Sequence, residues 1–142
     1  MTDDRDIPPQ ITVVTPYARS LGIAVERWEY GAPVLRVDFS EAVLGRPGAL
    51  HGGAISGLLE TAGYGLLRAE FARAGRDLEM KPINITVQFL RSGKERPSFA
   101  RARIVKLGRR TANLSVEAWQ DDPSKPIATA VMNMMIAEKE AG

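Results

Sequence analysis

Most of the chemistry this sequence can offer lies in one run, Leu50-His51-Gly52-Gly53-Ala54-Ile55-Ser56-Gly57-Leu58-Leu59-Glu60. Gly52 and Gly53 fall where a loop turns into a helix, so their amide hydrogens have no helical acceptor. Free amides at the positive end of a helix macrodipole form a ready site for an anion or an oxyanion. Glu60 is the only charged residue between positions 53 and 67. The expectation is a buried carboxylate, and an isolated one of that kind is a candidate base or nucleophile. The plainer alternative is a structural glutamate that meets an arginine from another strand or subunit. His51 taken alone is as well explained as a hydrogen-bonded spacer before the turn.

Composition narrows the field. A chain of 142 residues holds one domain and not two, so residues 1–142 read as a single domain with an irregular segment at 1–14. There is no cysteine, which removes disulfides, zinc–thiolate sites, iron–sulfur clusters and thiol nucleophiles. The single histidine cannot build a multi-histidine metal site. No metal site is therefore expected, and no cofactor. No apolar run approaches the roughly 18 residues of a membrane span. The opening MTDDRDIPPQ has three aspartates and no apolar stretch, so no signal peptide is expected and the expected location is cytoplasmic. Basic residues gather late, from Arg91 to Arg110, with only Phe99 among them for stacking. A nucleic-acid groove calls for interleaved aromatics. Solvent-facing arginines or a small polyanion such as a nucleotide phosphate fit better.

The elements that must position these residues follow from periodicity. Thr15-Pro16 resembles a cap and a first-turn proline, predicting a short helix over 15–20. Strands are expected at 22–30 and 33–39, with Gly31-Ala32-Pro33 as the turn between them. Residues 40–50 read as a loop. From 52 to 74 the spacing of Ile55, Leu58, Leu59, Ala62 and Leu66 is helical, and Gly75 ends the helix. This helix is apolar nearly all round, so burial on all sides is expected. It also keeps Gly57, Gly63 and Gly65, each costing about 1 kcal/mol relative to alanine. Such glycines suggest close backbone packing. Ile83, Ile85, Val87 and Phe89 then alternate with polar residues, as in a half-buried strand. Further strands are expected at 98–107, 111–120 and 127–137, and their short connections imply antiparallel neighbours. The class is α+β: an antiparallel sheet of five to six strands wrapped around one long central helix.

Across residues 15–138 the sequence resembles the hotdog-fold acyl-CoA thioesterases, especially the phenylacetic-acid-degradation (PaaI-like) and 4-hydroxybenzoyl-CoA branch. The resemblance rests on His51-Gly52-Gly53 with an acid nine positions after the histidine. Ile85-Thr86-Val87-Gln88-Phe89-Leu90-Arg91 and Gly108-Arg109-Arg110-Thr111 support it. It implies hydrolysis of an acyl-CoA thioester, with CoA entering as part of the substrate. Gly52 would donate its amide to the thioester oxygen, and His51 and Gly53 would shape that turn. Glu60 would be nucleophile or general base. Gly53, Ser56, Tyr64 and Asn84 would contact the substrate, with Ser56, Gly57, Gly63, Tyr64 and Leu67 lining an acyl tunnel. Arg91, Gly108, Arg109, Arg110 and Thr111 would hold CoA.

Helix geometry adds a constraint. Gly52 and Glu60 lie roughly 12 Å apart along one helix at 1.5 Å per residue, whereas reacting atoms must approach within about 3–3.5 Å. A homodimer with shared sites is therefore expected, with a dimer of dimers as its extension. Two positions depart from the family pattern. Gly45 stands where many relatives carry a polar residue, and Pro82 lies near a position where some carry a hydroxyl; Tyr64, one turn beyond Glu60 on the same helix face, is the candidate substitute. Two other readings remain open. One is a non-catalytic acyl-CoA-binding or regulatory protein. The other is an acyl-thioester hydratase or dehydratase.

Overall fold

The computed structural model describes residues 12–139; most of the segment expected to be irregular, 1–11, lies outside that range. Helix α1, Pro16–Ser20, forms as its sequence predicts: the Thr15 hydroxyl accepts the Ala18 N–H at 3.2 Å, and Pro16 opens the first turn. Strands β1 (Ile23–Glu29) and β2 (Ala32–Val37) follow. Their turn falls one residue earlier than expected. Tyr30 and Gly31 both take positive φ, 51° and 81°, so Ala32 and Pro33 already belong to β2. A short 3-10 turn, Glu41–Val43, lies inside the expected loop.

Helix α2 spans Gly52–Arg73 and is followed by β3 (Leu78–Phe89), β4 (Ser98–Leu107), β5 (Thr111–Trp119) and β6 (Ala128–Glu138). β3 begins five residues before the clean alternation, which a register shift between Pro82 and Asn84 interrupts. The sheet is antiparallel throughout, in the order β1-β2-β4-β5-β6-β3. The neighbours with short connections pair as expected. β3 does not pair with β4. It occupies the far edge beside β6, and residues 90–97 carry the chain back towards the middle of the sheet.

Alternate residues on β5 and β6 (Leu114, Val116, Met132 and Met134 among them) are buried and pack with Leu58, Leu59 and Leu67 of α2 in one core. Each fully buried leucine contributes about 1.5–3 kcal/mol. Close packing explains two of the helix glycines. A side chain at Gly63 would collide with the Met132 sulfur, and one at Gly65 would press on Pro33 and Val13 at 3.3 Å. Gly57 is different, because a methyl there would meet Leu21 at an ordinary 3.4 Å. Burial on every side of α2 is not observed. Its sheet-facing side is covered, but Gly53 and Glu60 are exposed in the chain. The sheet packs against one side of α2, and among the described residues nothing covers Gly53 and Glu60 on the other. Among the described residues, no helix is long and apolar enough to cross a membrane.

Candidate active site

The loop before α2 is pinned at three points. The Leu50 N–H donates to the Gly93 carbonyl at 2.9 Å, the His51 N–H to Val43 at 2.8 Å, and the Gly45 N–H to Ala49 at 2.9 Å. His51 is the N-cap of α2, and its ring Nδ1 accepts the Gly53 N–H at 2.8 Å. An accepting Nδ1 belongs to a neutral ring with its proton on Nε2. Ala54 and Ile55 both donate to the His51 carbonyl. The Gly52 N–H is left without an acceptor among the described residues. Of the two amides expected to be free, the cap takes one. The spacer reading of His51 fits this bond, and Gly52 supplies the amide that is left over.

Gly52 faces an open cleft of about 510 Å³ lined by Gly45, Arg46, His51, Phe89 and Arg91 among others, with no acidic residue in its wall. Phe89, at the end of edge strand β3, would lie 3.5 Å from a methyl on Gly52. Arg91 therefore belongs to the same cleft as Gly52. Glu60 does not line it. The carboxylate has no hydrogen bond or ion pair among the described residues, so the structural-glutamate alternative finds no arginine there. Further along that face, Arg68 Nη1 donates to Tyr64 Oη at 3.3 Å.

A family model described as the acyl-CoA thioesterase N-terminal domain matches residues 43–135. The chain belongs to that family. A candidate esterase of Saccharolobus solfataricus is 28% identical over 100 residues; the match covers 70% of the chain but only 63% of that protein's length. Among solved structures, a candidate thioesterase of Ralstonia eutropha related to phenylacetic acid degradation is 26% identical, with a TM-score of 0.72 over 86% of this chain and 90% of that one. The Escherichia coli PaaI protein, from the phenylacetic acid degradation operon, aligns with a TM-score of 0.74 at 21% identity, covering 87% of this chain and 85% of its own. The fold is the hotdog fold.

Against the thioesterase pattern, the absence of a side chain at position 45 has a steric cause. A Cβ on Gly45 would lie 2.9 Å from His51 Cα, so the loop closes against backbone. The other candidate positions scatter within a single chain. Of the five expected tunnel residues, Gly57 faces Tyr17 and Leu21 while Gly63 faces Met132. Asn84 lies on the face of the sheet away from α2. It accepts from Asn133 Nδ2 at 2.7 Å, and Asn133 in turn accepts from Asn113. Gly108, Arg109 and Arg110 border a second cleft of about 700 Å³ with Arg76, Leu107 and Met135, and the Gly108 N–H donates to the Thr111 carbonyl at 2.8 Å. Arg110 binds Ile136, which pairs with Met80, nine residues along β3 from Phe89. At 3.3 Å per residue, that places Arg110 roughly 30 Å from the Gly52 end of the same sheet. Arg46 and Phe89 had not been singled out as site residues. The signal for Arg46 was its place in the glycine-rich loop, and for Phe89 its place at the end of the alternating strand.

Proposed function

We propose that the protein hydrolyses an acyl-CoA thioester to the free acid and CoA. The observation that carries this reading is the single unspent amide of Gly52 at the start of α2, with a carboxylate on the same helix but out of its reach. The amide and the helix dipole stabilise the oxyanion formed as the thioester carbonyl is attacked. Glu60 supplies the second function from a partner copy whose α2 runs antiparallel alongside. As general base it takes a proton from water while the water oxygen bonds to the carbonyl carbon. As nucleophile it forms an anhydride that water then opens. In both routes the C–S bond breaks, the sulfur takes up a proton, and the carboxylate is regenerated.

A homodimer also accounts for the edge of the sheet. β3 presents a row of unpaired backbone groups that ends at Phe89 beside Gly52, and such an edge favours pairing with another chain. A two-fold axis generates two equivalent composite sites. It also offers a way for the Arg109–Arg110 cleft of one copy to serve the Gly52 cleft of the other. Val131 and Met135 are exposed on the outer face of β6, at 54% and 41%, on a face where two dimers would associate. CoA enters as part of the substrate, and the reaction calls for no cofactor.

A second reading, acyl-CoA binding without hydrolysis, draws on Gly45 and Pro82, neither of which offers a polar side chain. The test is thiol release from a panel of aryl and medium-chain acyl-CoAs, run beside hydration of an enoyl-CoA. Thiol release that is lost in Glu60→Gln supports the proposal. Tight binding with neither activity supports the second reading, and hydration without thiol release places the protein with the hydratases.

A further inference from the structure

Glu60, Tyr64 and Arg68 are four residues apart on α2 and therefore share one face, each side chain leaning over the turn before it. The upper half of this stack is made. Arg68 Nη1 lies 3.3 Å from Tyr64 Oη, and the guanidinium carbon stands 5.8 Å from the centre of the Tyr64 ring. The Nε of Arg68 is buried without a hydrogen-bond partner, and no carboxylate pairs with Arg68 among the described residues. A partly buried cation without a counter-charge is an unfavourable thing for a fold to keep. Two turns along the same face stands Glu60, which also lacks a partner among the described residues.

The direction of the bond between Arg68 and Tyr64 is fixed by chemistry. A guanidinium carries only donors, so Tyr64 Oη is the acceptor and its own proton remains for another group. Helical side chains lean toward the start of their helix, and one turn in that direction from Tyr64 the same face carries Glu60. We infer that Tyr64 and Arg68 are positioning residues for the Glu60 carboxylate. Arg68 fixes the orientation of the Tyr64 hydroxyl. The hydroxyl donates to one Glu60 oxygen, leaving the other to face the thioester or its attacking water. This rests on Glu60 being the carboxylate of the proposed hydrolysis. No bond between Tyr64 and Glu60 is made in the single chain, and catalytic hydrogen bonds commonly tighten only in the substrate complex. The stack supplies a donor that Gly45 and Pro82 do not.

The test is a double-mutant cycle on kcat and KM with the best acyl-CoA of the panel, using Tyr64→Phe, Arg68→Met and both together, each checked by thermal melting. A hydrogen bond to a charged group contributes about 1.5–3 kcal/mol, so Tyr64→Phe should lower kcat about 10- to 100-fold while KM changes little. Arg68→Met should give a comparable loss, Arg68→Lys should recover most of it, and the double variant should be no worse than either single one. Full kcat in folded Tyr64→Phe, or losses that multiply in the double variant, would overturn the inference. If Arg68→Met fails to fold, Arg68→Ala and its combination with Tyr64→Phe complete the cycle. Failure of the underlying reading looks different: wild-type protein that releases no thiol overturns both, whereas an active wild type with an inactive Glu60→Gln and a fully active Tyr64→Phe overturns this inference alone.

Discussion

The His51 ring accepts the Gly53 N–H at 2.8 Å, and this one bond assigns the two glycine amides at the start of α2 to different tasks. Gly53 closes the cap, and Gly52 stays available to a ligand. His51→Ala should cost about 1 kcal/mol of stability, as lost N-caps do. It should also lower kcat by loosening the turn that aims the Gly52 amide. Asn is a good N-cap, so His51→Asn should recover the stability. Urea denaturation and steady-state kinetics on the two variants check both effects.

Gly45→Asn would add a polar side chain beside the Gly52 cleft, yet it should impair this protein. The new Cβ would meet His51 Cα at 2.9 Å, and backbone cannot move aside as a flexible side chain does. Lower thermal stability together with lower kcat is the expected result. An active, equally stable variant would show that the loop opens readily.

Arg109→Ala combined with Arg110→Ala should raise KM for acyl-CoA far more than it lowers kcat, because contacts remote from the reacting carbon bind ground and transition states alike. The effect should shrink in high salt, where exposed charges are screened. A substrate with a short thiol in place of CoA should be hydrolysed equally by wild type and variant.

What could be read from the sequence was local. Thr15-Pro16 marked α1 through its own cap, and Ile85, Val87 and Phe89 marked β3 through their alternation. The place of β3 at the far edge could not be read that way, because no feature of residues 90–97 says that the chain crosses the sheet. Glu60 was misjudged for a related reason. Apolar neighbours in sequence imply burial only if something packs on every side of the helix, and in one chain the Glu60 side stays exposed. The role of Gly45 was also hidden, since its contact with His51 depends on the closed shape of the loop.

Glu29 gives a prediction in acid. A hydrogen bond from Arg27, aided by the nearby Arg101, holds its carboxyl below the ordinary range against a smaller opposing effect of burial. A lowered folded-state pKa stabilises the fold above the ordinary carboxylate range, and the gain is lost as pH falls through the lowered value. Glu29→Gln should therefore melt below wild type at neutral pH, and the difference should close in acid. Melting curves across the acid range check it; a difference that persists unchanged at low pH would mean that packing, not charge, is responsible.

The shared site is tested most directly by mixing two variants that are each inactive alone, Glu60→Gln and Gly52→Leu, and assaying the purified heterodimer. One of its two composite sites receives an intact Gly52 and an intact Glu60, so about half of the wild-type activity per dimer should return. Inactive heterodimers, or a fully active monomer, would contradict the account.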